Sequence, residues 1–168
     1  LSTISHSQGF FIDAQSSGSV VFKESHKSTS ATSFEKTTNG LNLPLEIEIT
    51  SEVNNYKDYS YLSTTQNASN NFEQSLDQRK LFNMIPNYSP SIYFISDDSV
   101  DLCHNYVSSV SSNIIPVHTK IGNYAHGNYN LSFKNLDPFM IGSCITLEDL
   151  HSGDIIDLRE DSSYSFTS

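Results

Sequence analysis

Hydrophobic and polar residues alternate in several short runs along this chain, and the clearest run is LPLEIEIT at residues 43–50. Its alternating side chains are Leu43, Leu45, Ile47 and Ile49 on one side and Glu46 and Glu48 on the other. Strict alternation predicts a β-strand with one face in the core and one in water. Residues 91–96 form a continuous apolar run, which predicts a central strand. Further strand-like runs occupy residues 9–13, 19–24, 58–64, 102–110, 113–121, 128–134, 139–147, 154–158 and 164–167.

One stretch of the chain has helical spacing instead. Hydrophobic residues recur there at Phe72, Leu76, Leu81 and Ile85. Glu73 follows Asn70 by three positions, which resembles a capping arrangement, and Pro86 would close the helix. The pattern predicts one short amphipathic helix near residues 70–85, with an irregular loop as the alternative.

Many short strands separated by turn residues indicate an all-β fold, either an antiparallel β-sandwich or a jelly roll. The composition agrees, because the chain has 30 Ser and 15 Asn but only 4 Ala, the strongest helix former. A length of 168 residues fits a single domain over residues 1–168, native in that form or excised from a longer surface protein.

The net charge of the chain limits the classes of ligand that it is expected to bind. Nine basic and nineteen acidic residues give a formal net charge of −10, which disfavours nucleic acids and anionic membrane surfaces as ligands. The sequence contains no apolar run of membrane-spanning length, so no membrane insertion is expected. An exterior rich in the uncharged polar residues Ser and Asn is common on secreted and cell-surface proteins. We therefore expect the protein to be secreted or displayed on a cell surface.

The two cysteines, Cys103 and Cys144, form no CxxC pair. An even count in a chain of extracellular composition predicts one disulfide, with two buried free thiols as the alternative. The disulfide would close a loop of about 42 residues, worth ~3–4 kcal/mol in the chain-entropy model.

The segment GNYAHGNYN, residues 122–130, repeats Gly-Asn-Tyr and is the best candidate for ligand binding. Amide side chains pair with hydroxyl groups, and aromatic rings cover the C–H face of a sugar. The candidate ligand-binding residues are Asn123, Tyr124, His126, Asn128 and Tyr129. The alternative is a plain hairpin turn whose tyrosines begin the flanking strands.

A second candidate site follows the apolar run at residues 91–96. Asp97, Asp98 and Asp101 could supply oxygen ligands to Ca²⁺, although their spacing is not that of an EF-hand loop. The alternative is a solvated acidic turn. We expect no cofactor, with calcium as the one candidate ion.

Residues 143–158 resemble the late strand pair of C1q/TNF-like jelly rolls, in which an apolar strand leads through a Leu-x-x-Gly-Asp turn into another strand. The matching residues are Leu150, Gly153, Asp154 and Ile156. The end of the chain, where Tyr164 and Phe166 alternate with polar residues, is similar to fimbrial adhesins and pilins but lacks their C-terminal Gly and penultimate Tyr. These likenesses imply a jelly roll or pilin-like fold and carry over no functional residue.

The sequence has no nucleophile elbow, P-loop or dinucleotide fingerprint, which predicts a protein that is not an enzyme. We expect a non-catalytic extracellular recognition domain, meaning an adhesin, a lectin or a receptor-binding module for a host or cell-surface glycan or protein receptor. One alternative is a structural subunit of a pilus, coat or fibre, with its parent protein or an assembly partner as ligand. The third is a secreted hydrolase or toxin component, which a pocket with two carboxylates or a histidine of shifted pKa would favour.

Overall fold

The computed structural model describes residues 12, 16–27, 43–109, 114–136 and 144–168. The chain divides into two units, Leu1–Leu41 and Asn42–Ser168. In the first unit one turn of 3-10 helix spans Glu24–His26, so the strand predicted over residues 19–24 is wrong. The strand predicted over residues 9–13 lies outside the described residues except for Ile12. One domain over residues 1–168 stays a prediction.

The described part of the second unit consists of ten strands joined by turns and loops, which confirms the all-β class. The strands are β1 Leu45–Ser51, β2 Lys57–Thr65, β3 Gln78–Arg79, β4 Ser91–Ile95, β5 Asp101–Ser108, β6 Val117–Lys120, β7 Asn128–Lys134, β8 Thr146–Glu148, β9 Ile155–Asp157 and β10 Ser163–Thr167. No helix in the described residues is long and apolar enough to cross a membrane.

Eight strands form one curled sheet, a half-barrel, in the order β10-β7-β1-β2-β5-β4-β6 with β3 also paired to β5. Its pairs are antiparallel except that β2 and β5 run parallel. The sheet is therefore mixed, and the antiparallel prediction is wrong. Parallel neighbours need a long crossover, and residues 66–100 provide one that contains β3 and β4. A sandwich or jelly roll is not confirmed.

The remaining two strands, β8 and β9, pair antiparallel as a separate small sheet. The turn between them holds Gly153 at φ +80°, a left-handed conformation that suits glycine. This strand–turn–strand unit is the one that the Leu-x-x-Gly-Asp pattern predicted.

The helix predicted near residues 70–85 is absent, because the described residues of this stretch are turns, extended chain and strand β3. Its backbone finds partners elsewhere in the fold. The N–H of Phe72 donates to the Asp98 carboxylate, the N–H of Glu73 to Asp77, and the N–H of Lys80 to the carbonyl of Asp101 on β5. Within the stretch one helical i to i−4 bond is present, from the N–H of Asp77 to the carbonyl of Glu73. Bonds to Asp98 and Asp101 elsewhere in the fold take the place of further bonds of this kind.

Strand β5 carries β3 along one edge, while β4 and β2 share the other edge. Leu102 on β5 lies between Arg79 of β3 and Phe94 of β4. Two residues later, His104 lies between Gln78 of β3 and Tyr61 of β2. The sheet therefore branches at this point, where β2 diverges from the first half of β5 and β4 takes its place.

An ion pair between Asp58 and Lys80 holds this branch together. Lys80 Nζ donates to Asp58 Oδ2 at 2.5 Å and to the carbonyl of Tyr59 at 3.1 Å. The same Asp58 oxygen accepts the N–H of Ile92 on β4 at 2.8 Å, and Ser60 Oγ donates to the carbonyl of Ile92 at 2.7 Å. The Lys80 side chain is only 3% exposed, so its ion pair is largely shielded from water. At this point side chains make the hydrogen bonds that the backbones of paired strands would otherwise make.

The hydrophobic core lies on the inner face of the curled sheet. As predicted, Leu45, Ile47 and Ile49 of β1 are buried, whereas Leu43 precedes the strand and is exposed. Glu48, predicted to face water, is buried too. Lys57 of β2 and Lys134 of β7 both donate to its carboxylate, and these bonds lower its pKa to about 2.

Removing the anionic partner of Lys80 should destabilise the protein strongly. We expect Asp58→Ala to lower the free energy of unfolding by about 3–5 kcal/mol, because it leaves a buried ammonium group unpaired. Urea denaturation followed by circular dichroism measures this loss. The control is Glu24→Ala, which breaks the solvent-exposed pair between Glu24 and Lys27 and should leave the free energy of unfolding unchanged within error. A loss no larger than that of the control would contradict the role assigned to Asp58.

Candidate ligand-binding site

The segment from residue 122 to residue 128 connects β6 to β7 and is anchored at three points. Gly122 is pressed against residue 87, where an added Cβ would lie 2.3 Å from the carbonyl carbon of Asn87. Ala125 is fully buried, and its N–H donates to the carbonyl of Gly122 at 3.0 Å. Gly127 exchanges two backbone hydrogen bonds with Ser168. The segment therefore has one well-supported conformation.

The two tyrosines of the predicted site have different environments. Tyr129 is 0% exposed, its ring stacks on Phe166 at 5.6 Å, and its hydroxyl donates to the carbonyl of Ala125. Tyr129 is thus a core residue and cannot contact a ligand in this conformation. Tyr124 is 68% exposed, and its ring lies on the surface.

The three other predicted residues are exposed. Asn128 Oδ1 accepts a hydrogen bond from Thr167 Oγ1 at 2.9 Å, so this amide joins β7 to the edge strand β10. Asn123 and His126 flank Tyr124 and Ala125 in the chain and lie on the surface. Of the five predicted residues, Asn123 and Tyr124 form one end of a larger surface.

The other end of that surface is Tyr88, whose ring centroid lies 5.4 Å from that of Tyr124 with the planes tilted by 33°. Tyr88 is 51% exposed. The N–H of Tyr124 donates to the carbonyl of Asn87 at 3.0 Å, and Asn54 Nδ2 donates to the carbonyl of Tyr88 at 2.6 Å. We name these five residues, Asn54, Asn87, Tyr88, Asn123 and Tyr124, the tyrosine-pair surface.

Sequence reasoning missed Tyr88, Asn87 and Asn54. The available signal was the dipeptide Asn-Tyr, which occurs at residues 87–88 as well as 123–124. The dipeptide shows which residue types recur, but only the close approach of Gly122 to Asn87 brings these two copies together.

The segments that carry the tyrosine-pair surface contain no charged residues, although the protein is strongly acidic. Residues 53–56, 81–89 and 121–128 contain no Asp, Glu, Lys or Arg, although the chain carries nine basic and nineteen acidic residues. Exposed apolar side chains of the same segments include Val53, Met84 and Ile85. Such a surface suits a neutral ligand with both apolar and hydrogen-bonding groups.

In the acidic loop after β4, the carboxylate of Asp98 forms hydrogen bonds within the protein. Asp98 Oδ1 accepts hydrogen bonds from Ser96 Oγ at 2.6 Å and from the N–H of Phe72 at 2.9 Å, and these bonds lower its pKa. Asp97 is exposed, and Asp101 begins β5. In the described ranges no group of three or more His, Cys, Asp or Glu side chains is placed to hold a metal ion. The calcium site stays an untested prediction.

Both cysteines are free thiols, which corrects the predicted Cys103–Cys144 disulfide. Cys103 belongs to the central strand β5, and its Sγ donates to the carbonyl of Arg79 at 3.4 Å. Burial raises the pKa of the Cys103 thiol. Cys144 is exposed and precedes β8, a strand of the separate small sheet.

Replacing Gly122 should displace the segment that carries Tyr124 from the backbone of Asn87. We expect Gly122→Ala to destabilise the protein by about 1–3 kcal/mol, because a methyl group cannot fit against the backbone of Asn87. Thermal unfolding measures the change. Gly18→Ala is the matched control, since no atom lies within 4 Å of an added Cβ there. Equal melting temperatures of the two variants would show that the segment does not rest on Asn87.

The two thiols should react at different rates. With Ellman's reagent we expect two thiols per unreduced, denatured chain, and in the native protein a fast reaction at Cys144 and a slow one at Cys103. The difference follows from the exposure of Cys144 and the raised pKa of Cys103, since the thiolate is the reactive form. Cys103→Ser and Cys144→Ser assign the two phases. Fewer than two thiols in the denatured protein would restore the disulfide.

Comparisons with known proteins found no relative of this chain. No protein-family model matches it. No curated protein matches its sequence significantly, and no solved structure matches its fold significantly.

Proposed function

We propose that this chain is an extracellular recognition domain, an adhesin or lectin, whose tyrosine-pair surface binds a neutral glycan on a host or cell surface. The observation that carries the proposal is the exposed ring pair of Tyr88 and Tyr124, centred 5.4 Å apart in segments without Asp, Glu, Lys or Arg. A secreted or cell-surface location is part of the proposal and rests on the composition alone.

The chemistry of the surface fits a sugar. A tyrosine ring offers a flat apolar face to the C–H groups of a pyranose, and its hydroxyl remains available for hydrogen bonds. Asn123 adds an exposed amide beside Tyr124. Because amides both donate and accept, they can pair with sugar hydroxyls in either sense. The absence of charge in these segments removes any desolvation penalty for a buried ion.

The surface is also arranged before a ligand arrives. The side-chain amide of Asn54 donates to the carbonyl of Tyr88 at 2.6 Å, and the N–H of Tyr124 donates to the carbonyl of Asn87 at 3.0 Å. A ligand that meets rings already in position loses less conformational entropy on binding. This arrangement supports recognition by surface loops that a rigid sheet positions.

A two-layer sandwich or jelly roll is the architecture that we propose for this domain. Leu147 of β8 and Leu158, just after β9, belong to or pack against the hydrophobic core that the curled sheet builds. The small β8–β9 sheet would then form part of a second layer.

An assembly subunit of a pilus, coat or fibre is the second candidate, and strand β10 favours it. This strand ends the order of the curled sheet, and its sequence, SYSFT, has neither charge nor proline. Natural edge strands commonly carry such residues to prevent pairing with other chains. In this case the ligand would be another protein chain.

A neutral-glycan array tests the first proposal. We expect selective binding by the wild-type protein, a loss of about two- to tenfold in affinity for Tyr124→Ala or Tyr88→Ala, and no detectable binding for the double variant. The estimate follows from about 0.5–1.5 kcal/mol for an aromatic contact. Tyr59→Ala is the matched control, because Tyr59 is an exposed tyrosine outside the tyrosine-pair surface.

Each other result has a definite meaning. Binding that survives the double variant would contradict this location of the site. Binding to no glycan would contradict the lectin proposal and favour assembly, and sedimentation equilibrium would then measure self-association.

A further inference from the structure

A second cluster of chemically capable side chains lies on the outer face of β2 and β5. The parallel register pairs Tyr61 with His104 and Ser63 with Tyr106. Side chains alternate along a strand, so these four point to the same face of the sheet. Ser63 Oγ and His104 Nε2 lie 2.8 Å apart, within hydrogen-bond distance.

Two aromatic rings flank the imidazole of His104. The Tyr106 ring stacks on it at 4.7 Å with an angle of 26°, and the Tyr61 ring lies 5.9 Å away. All four side chains of the cluster are half-buried and thus partly exposed to solvent. The imidazole is thus packed between two aromatic rings, with Nε2 within hydrogen-bond distance of Ser63.

Asp77 supplies a negative charge near His104. Its carboxylate is buried and accepts the N–H of Tyr106 at 2.9 Å and the N–H of Glu73 at 2.8 Å. Burial lowers the pKa of His104, while the charge of Asp77 acts in the opposite direction. The imidazole is therefore neutral at pH 7 and able to accept a proton, and Asp77 would stabilise the imidazolium ion that results.

We propose that Ser63 and His104 form a nucleophile–base pair that accepts acyl groups from carboxylic esters. Ser63 Oγ attacks the ester carbonyl carbon and His104 Nε2 takes the hydroxyl proton. The ester C–O bond then breaks, and the leaving alkoxide takes that proton and departs as an alcohol. A water molecule, deprotonated by His104, releases the acid and restores Ser63.

The hydrogen bond between Ser63 and His104 is not needed to join the two strands. Backbone pairing already links residues 61–65 of β2 to residues 104–108 of β5. The contact instead places a nucleophile, the Ser63 hydroxyl, beside a base, the His104 imidazole, and the Asp77 carboxylate lies near that base. This is the arrangement that activates a serine. This activity is independent of the tyrosine-pair surface and corresponds to the hydrolase alternative, which a histidine of shifted pKa favours.

A fluorophosphonate probe tests the pair directly, because its phosphorus atom bonds to an activated serine oxygen as fluoride leaves. We expect one adduct on the folded protein, located at Ser63 by peptide mass spectrometry, and none on the urea-unfolded protein. Ser63→Ala should abolish the adduct. Ser165→Ala, which removes an exposed serine of β10, is the matched control and should label at the wild-type rate.

His104→Gln separates a base from a mere hydrogen-bond partner, since an amide oxygen can accept from Ser63 but cannot take its proton at neutral pH. We expect labelling to slow by at least about a hundredfold. For the wild-type protein the labelling rate should rise from pH 5 to pH 7 and level off, with its midpoint below the ordinary pKa of histidine.

No adduct at Ser63 in the folded protein, or equal labelling of His104→Gln, would overturn the proposal. If circular dichroism shows that His104→Gln is unfolded, the pH profile of the wild-type protein decides, and a rate that does not change between pH 5 and pH 7 would also overturn it.

Discussion

The ion pair between Asp58 and Lys80 is the contact on which the architecture of the second unit depends. It lies where β2 leaves β5 and β4 replaces it, so a continuous backbone ladder cannot satisfy every group there. One carboxylate oxygen serves both the ammonium group of Lys80 and the N–H of Ile92. Separating these groups would leave a buried charge unpaired, which costs several kcal/mol. The pair therefore holds together β2, β4 and the segment that contains Lys80.

The way the strands are paired and connected also produces two surfaces of different chemistry. The parallel contact of β2 with the later part of β5 places Ser63 and His104 on one face. The other surface arises at the connections, where the segment after β6 rests on residue 87 and Tyr124 meets Tyr88. Both surfaces thus depend on how the strands of the sheet are connected.

Local pattern predicted some elements well and failed where tertiary contacts compete with it. The alternating pattern correctly predicted β1, and the predicted run at residues 128–134 coincides with β7. In a half-buried strand every second side chain faces the core, so the hydrophobic residues recur with a period of two. The stretch at residues 70–85 has helical spacing, yet carboxylates of Asp77 and Asp98 bind its N–H groups and β3 pairs with β5. Glu48 looked like a water-facing residue but is covered by lysines of both neighbouring strands.

The candidate site shows the same division. Repetition of Gly-Asn-Tyr identified Tyr124 and Tyr129 as equivalent, but one ring is exposed and the other is buried against Phe166. The sequence by itself determined the all-β class, the acidic charge and the uncharged segments, because composition and periodicity are local properties. Only the tertiary structure decided the parallel pair, the free thiols, and the partners of Tyr124 and His104. Those features depend on contacts between residues far apart in the chain, which no local pattern records.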